Sequence, residues 1–232
     1  MEPPSPKPPT IEPYFKNDNH TIFCGDSSQL MKQMPNESVD LVLTDPPYKD
    51  YISQRPNNDY AKPIDKGAFT FEKLVSDIER VLKPNRHFYI WCCDVTVADA
   101  IIAVKNSKTL KFKNILKWVK NNWGAGDCKG AYGRRTELCI FGQKGRREFF
   151  TNRATDVFYA NRIPPKRGKH PTVKPVSILQ DWIERSTLPG EVVFDPYAGS
   201  HSMAESAKLA GRDSISFELD SQYCDLGITK LT

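Results

Sequence analysis

The chain has 232 residues, 39% hydrophobic, 26% charged and 11% aromatic, the make-up of an ordinary globular protein long enough to bury a core without disulfides or metal. No run reaches the roughly 18 to 20 apolar residues of a membrane helix, and the amino terminus lacks the charged-then-apolar layout of a secretory signal, so an intracellular protein that does not engage membranes is expected. Net charge is +5, but residues 121–170 hold eleven Lys or Arg against four acids, a concentration that suits docking on a polyanion or, more plainly, a solvated face.

In chain order, residues 1–13 carry six of the 18 prolines without apolar periodicity and read as a flexible tail, leaving residues 14–232 as a single domain. Short apolar runs at 21–24, 39–44, 87–93, 115–119, 138–142, 192–195 and 214–218 predict buried strands. Helical patterns at 71–82, 95–105, 176–186 and 202–210 alternate with them. The fold class expected is α/β, a mostly parallel sheet with helices on both faces. Leu82-Lys83-Pro84-Asn85 reads as a helix end turning into the strand at His87, Leu188-Pro189-Gly190-Glu191 as a similar turn, and Gly211 as a left-handed helix cap. The cysteines, Cys24, Cys92, Cys93, Cys128, Cys139 and Cys224, form no paired C-x-x-C spacing, so no metal site or disulfide framework is read. Cys92, Cys93 and Trp118 sit in or beside apolar runs and read as core.

In an open α/β sheet ligands sit beyond the carboxyl ends of the strands, and two strand ends here carry chemistry. The run 39–44 passes directly into Asp45-Pro46-Pro47-Tyr48. The prolines fix two φ angles and remove two amide donors, so Asp45 and the Pro46 carbonyl can together accept both hydrogens of an exocyclic NH₂, while Tyr48 offers a stacking face. The run 192–195 passes into Asp195-Pro196-Tyr197-Ala198-Gly199-Ser200, a tight turn before a helix where a glycine admits close approach of a cofactor. About 20 residues further on, Glu218 ends a strand where ribose hydroxyls would be met. With a single glycine in the turn, a nucleoside cofactor without pyrophosphate fits better than a dinucleotide.

These motifs resemble those of the DNA amino-methyltransferases in the circularly permuted order called the beta class. Asp45-Pro46-Pro47-Tyr48 matches the family's catalytic motif, and the turn from Asp195 to Ser200 matches its S-adenosylmethionine motif. Cys24-Gly25-Asp26, Thr136-Glu137-Leu138, His170-Pro171-Thr172-Val173-Lys174-Pro175 and Gly211-Arg212 through Tyr223 match further segments in a consistent order. The resemblance implies the Rossmann-like S-adenosylmethionine-dependent methyltransferase fold. It also implies S-adenosylmethionine as cofactor and duplex DNA as partner, and Asp45, Pro46, Pro47 and Tyr48 as catalytic residues around a flipped-out base. Asp26, Thr172, Lys174, Asp195, Tyr197, Gly199, Ser200 and Glu218 would bind the cofactor, Asp26 at the adenine amine, Glu218 at the ribose, Thr172 and Lys174 at the methionine end. The family's recognition elements fall in segments 50–66 and 121–170, pointing to Trp123, Lys129, Arg134, Arg135, Arg146, Arg147, Arg162, Lys166 and Arg167 as DNA-binding residues. A region this small suits a short target or loose specificity.

Asp in the first catalytic position is typical of N6-adenine enzymes in the family, with N4-cytosine methylation as the nearest alternative. Where the family has a second glycine and then Thr, this chain has His201-Ser202. Either the ring points aside and the backbone is preserved, or cofactor affinity falls and the protein is a degenerate DNA-binding relative. The resemblance further implies a bacterial or phage-infected cytoplasm and a restriction-modification setting. It leaves a homodimer and a partner nuclease open.

Overall fold

The structure, a computed structural model, describes residues 12–47, 69–122, 129–162 and 173–232. Tyr48, Trp123, Cys128, Lys166, Arg167, Thr172, the segment 50–66 and residues 1–11 of the tail lie outside the described residues.

The elements run β1 (Phe15–Lys16), β2 (His20–Cys24), α1 (Ser27–Met31), β3 (Val39–Thr44), α2 (Phe71–Val81), β4 (Leu82–Cys92), α3 (Val97–Asn106), β5 (Leu110–Val119), β6 (Thr136–Lys144), β7 (Val157–Tyr159), α4 (Val176–Ser186), β8 (Val192–Asp195), α5 (Ser202–Leu209), β9 (Asp213–Glu218) and α6 (Ser221–Leu231). All six residues of β3 are buried, because the strand has helices on both faces. Val39 and Val42 pack toward α2 and α3, whereas Leu41 and Leu43 pack toward α4. β4 splits in the same way, with Phe88, Ile90 and Cys92 on the first face and Tyr89 and Trp91 on the second. Because both faces are covered, the strands read as continuous apolar runs. Helix α2 buries Phe71, Leu74, Val75, Ile78 and Val81, one stripe at helical spacing. Its Thr70 side chain caps Lys73 N at 3.2 Å, which satisfies one of the free amides of the first turn. Each apolar side chain so buried contributes about 1.5–3 kcal/mol relative to exposure.

Among the described residues the sheet order is β1-β2-β9-β8-β3-β4-β6-β5-β7. β1 pairs antiparallel with β2, β6 pairs antiparallel with both neighbours, and the other pairings are parallel. The carboxyl ends of β2, β9, β8, β3, β4, β5 and β7 therefore share one edge, where β6 begins. From β8 the chain proceeds to β9 on one side, and from β3 to β4 on the other. The strand order thus reverses between β8 and β3, and the crevice that opens at such a point is where this architecture binds ligands.

Sequence and structure differ in places. The turn expected after Lys83 lies inside β4, which already begins at Leu82 and pairs there with Val39 before the register shifts. Asn85 takes the left-handed conformation (φ 56°), which asparagine tolerates, and its side-chain oxygen accepts from Arg146 N at 3.0 Å. The interruption is a bulge, not a helix end. The elements β1, α1, β7 and α6 were not predicted. Three are too short to show periodicity, and α6 buries Cys224, Gly227 and Leu231, of which only one is a large apolar side chain.

Candidate active site

Two strand-end carboxylates flank the crevice. Asp45 follows β3, beside a buried Pro46, and Asp195 ends β8. The crevice is lined by Asp45, Lys174, Met203 and the turn from Tyr197 to Ser202, but not by Asp195 or His201.

Lys174 occupies the Asp45 side. The ring of Trp182 on α4 stacks on Tyr89 and Trp91 of β4, with centroids 5.0 and 5.2 Å apart. Lys174, just ahead of α4, sets its ammonium 5.0 Å from the Trp91 ring centre. There it forms an ion pair with Asp45 Oδ2 and a second, at 3.3 Å, with Glu137 Oε2. Lys120 reaches Glu137 Oε1 at 2.6 Å. Burial alone would lower the Lys174 pKa, but the two carboxylates outweigh it and hold the ammonium charged. Burial would likewise raise Glu137, and Lys174 and Lys120 reverse the shift downward. Lys174, expected at the methionine end, lines the crevice with its ammonium paired to Asp45 and Glu137.

On the other side the turn is shaped from beneath. Asp195 is buried, accepts from Tyr197 N at 3.0 Å and lies beside the Thr44 hydroxyl. Asp195 thus shapes the turn from beneath, behind the residues that line the crevice. Burial pushes its carboxyl up to about 7, with the nearby charges of Asp45 and Glu218 adding to the rise. A folded-state value above the unfolded one stabilises the protein fully in acid, and the contribution is lost as pH rises toward and past about 7. Asp195→Asn keeps an acceptor for Tyr197 N and cannot ionise. Its melting temperature is expected to exceed that of wild type at pH 8, with the gap narrowing at pH 5. A gap of the same size at both would reject the buried-acid account.

Gly199 has φ 49° and donates its amide to Glu218 Oε2 at 2.7 Å, while Asp220 N donates to Oε1 at 2.9 Å. Burial raises the Glu218 pKa against these two donors. Ser200 and Ser202 are buried with hydroxyls 2.8 Å apart. Tyr197 meets the Phe69 ring edge-on at 5.8 Å, and burial pushes its hydroxyl up to about 12. Asp26 follows the neighbouring β2, whose last residue, Cys24, pairs with Glu218. Its exposed carboxylate caps α1, accepting from Gln29 N at 3.0 Å and Ser28 Oγ at 2.5 Å.

His201 holds the glycine-like conformation (φ 55°, ψ 29°) with its ring fully buried. A Cβ on Gly227 of α6 would come 2.8 Å from that ring, so the imidazole points into the core between α5 and α6, away from the crevice. The small residue on α6 makes room for the large one in the turn. Gly227→Ala should lower stability by about 1–3 kcal/mol through overpacking, measured by denaturant unfolding. The double variant with His201→Gly should recover part of that loss, and strict additivity would refute the contact.

The basic residues divide between two edges. Lys129, Arg134 and Arg135 lie between β5 and β6 on the crevice edge, with Arg134 3.2 Å from Asp94 and the Arg135 guanidinium donating to Lys120 O. Arg162 follows β7 on that edge, its amide donating to Asn121 Oδ1 at 3.2 Å. Tyr132 is wholly exposed and Tyr159 79% exposed. Arg146 and Arg147 follow β6, which runs the other way and carries them to the opposite edge. Arg146 pairs there with Glu148, and Arg147 with Glu191 at 3.3 Å. Their assignment to the same surface as Arg134 is corrected. Tyr159, Lys120 and the pairing of Glu137 escaped sequence reasoning, and only the placement of Glu137 at the start of an apolar strand hinted at the last.

Comparison with known proteins accords with this geometry. The DNA adenine methyltransferase YhdJ of Escherichia coli (strain K12) is 27% identical over 256 residues, covering 94% of this chain and 84% of its own length. The crystal structure of the M1.HpyAVI-SAM complex superposes with a TM-score of 0.73 at 20% identity, covering 92% of this chain and 99% of that one. The cytosine-N4-specific PvuII DNA methyltransferase gives 0.74 at 15% identity, covering 95% and 89%. The fold is thus the α/β fold of the DNA methyltransferases. The DNA methylase family model, that of the N6 and N4 enzymes, matches residues 39–230, and the chain belongs to that family.

Proposed function

We propose that this DNA methyltransferase transfers the methyl group of S-adenosylmethionine to the exocyclic N6 amine of an adenine turned out of duplex DNA. The observation that carries the reading is that Asp45 and the turn from Tyr197 to Ser202 line the same crevice, at the point where the strand order reverses. When bound, S-adenosylmethionine supplies an electrophilic methyl on a sulfonium. The residues fit such a nucleoside: Glu218 at the end of β9 and Asp26 just after the adjacent β2 offer carboxylates, and the turn presents Gly199 without a side chain.

An aryl amine is a poor nucleophile because its lone pair is delocalised into the ring. Asp45 and the Pro46 carbonyl, accepting its two N–H bonds, favour a pyramidal nitrogen and direct the lone pair toward the methyl. As the N–C bond formed, the sulfonium–methyl bond would break and the surplus amine proton would pass by way of Asp45 to solvent, so catalysis would consist of positioning, electrostatics and that proton transfer, without a covalent enzyme intermediate. Tyr48 in the motif supplies a face for the flipped base. Lys129, Arg134, Arg135 and Arg162 are suited to DNA phosphates on the same edge. Asp in the first motif position and the name of YhdJ favour adenine.

The test is transfer from labelled S-adenosylmethionine to unmethylated duplex DNA, with product nucleosides identified by mass spectrometry. N6-methyladenine is the expected product. N4-methylcytosine alone would move the target to cytosine, the base of the PvuII enzyme. DNA binding with no transfer by a folded protein would overturn the reading in favour of a binding role.

A further inference from the structure

Lys174 is buried, with 5% of its side chain exposed, a costly site for an ammonium unless it is paired. Its partners form a line of alternating charge in which Lys120 meets Glu137 at 2.6 Å, Glu137 meets Lys174 at 3.3 Å, and Lys174 meets Asp45. Four different parts of the fold supply it, namely the ends of β5 and β3, the start of β6 and the approach to α4. Nothing in the methyl-transfer scheme above uses Glu137.

We propose that Glu137 and Lys174 are positioning residues for methyl transfer: Glu137 holds the Lys174 ammonium so that it fixes the Asp45 carboxylate toward the target amine without neutralising it. The inference rests on the proposed amine chemistry at Asp45. An ammonium facing only Asp45 would bind that carboxylate tightly and compete with the amine for it. One shared between two carboxylates divides its attraction, and Asp45 keeps its capacity to accept an N–H bond. The contact at Oδ2 also sets the plane of the carboxylate, and the Trp91 ring beneath the ammonium limits where it can move. Misplacement of a catalytic group by a fraction of its contact distance is enough to slow a reaction that depends on alignment.

The experiment compares wild type, Glu137→Gln and Glu137→Asp in single-turnover methyl transfer from labelled S-adenosylmethionine to unmethylated plasmid DNA, with affinities for S-adenosylmethionine and DNA measured separately by calorimetry. Glu137→Gln is expected to slow the transfer step by about 10- to 100-fold while both affinities stay at the wild-type level, and Glu137→Asp to restore part of the rate. Lys174→Met, with its melting temperature checked, should lose at least as much. A Glu137→Gln rate equal to wild type overturns the inference, even where stability falls. A loss of cofactor affinity matching the loss of rate also overturns it, by assigning the pair to cofactor binding. If wild type itself transfers no methyl group to DNA, the proposed function fails and this inference with it, an outcome distinct from a wild type and a Glu137→Gln variant that are equally active.

Discussion

Asp45→Ala is expected to lower the single-turnover rate of methyl transfer by about 10³-fold, with S-adenosylmethionine affinity retained. The carboxylate lies at the crevice edge of β3, on the wall facing the turn, so its loss removes an acceptor from the amine and leaves the cofactor side intact. The fold should survive, because Lys174 keeps its pairing with Glu137. Asp45→Asn is the stricter variant. It retains one carbonyl acceptor but loses the charge, and its amide cannot satisfy both Lys174 and the amine in the same orientation, so a substantial loss is expected here too. Calorimetry of the cofactor and rapid-quench kinetics on DNA separate binding from chemistry. A rate within about tenfold of wild type for Asp45→Ala would remove Asp45 from the chemical step.

The limits of β3 and β8 could be read directly because both are apolar runs, enclosed by helices, that stop at an Asp-Pro pair. Asp45 and Asp195 were legible for the same reason, since each stands where an apolar run meets a proline. β4 was not, because Pro84-Asn85 has the chemistry of a stop, and only the pairing with β3 and β6 on either side shows the strand continuing through a bulge. The contact of His201 with Gly227 was equally hidden, as the turn before α5 and the middle of α6 meet only once the two helices pack against each other. The charge line to Asp45 joins elements that meet only through the sheet order. The basic window misled for a directional reason. Composition counts charge without knowing that β6 is antiparallel, and this reversal separates Arg146 and Arg147 from Arg134 and Arg135.

At the edge away from the crevice, Asp40→Ala is expected to destabilise the protein by about 2–4 kcal/mol, below the full cost of breaking a buried pair because Lys83 reaches solvent. Asp40 is 3% exposed. It accepts from Lys83 Nζ at 2.9 and 2.8 Å, from Arg86 Nε at 2.9 Å and from Val192 N at 3.1 Å. Arg86 continues to Glu191 at 2.9 Å, and Glu191 accepts from Arg147, so one carboxylate ties the amino ends of β3, β4 and β8. Removing it leaves two cations and an amide without their acceptor. Burial pushes the Asp40 carboxyl up, but these donors outweigh it and hold it below the ordinary value of 3.8. A depressed pKa means stability that is present above the unfolded value and lost as pH falls through the lower folded one. Wild type should therefore lose stability in acid more steeply than Asp40→Asn, whose acid limb is expected to be flatter in denaturant titrations below the carboxylate range. The cluster lies across the sheet from Asp45, so the Asp40 variants, at a temperature where they remain folded, should transfer methyl groups at the wild-type rate. A reduced rate in the fully folded variant would show that the geometry of the crevice depends on the opposite edge, because β3 and β8 carry Asp40's contacts at one end and lead into Asp45 and the turn from Tyr197 at the other.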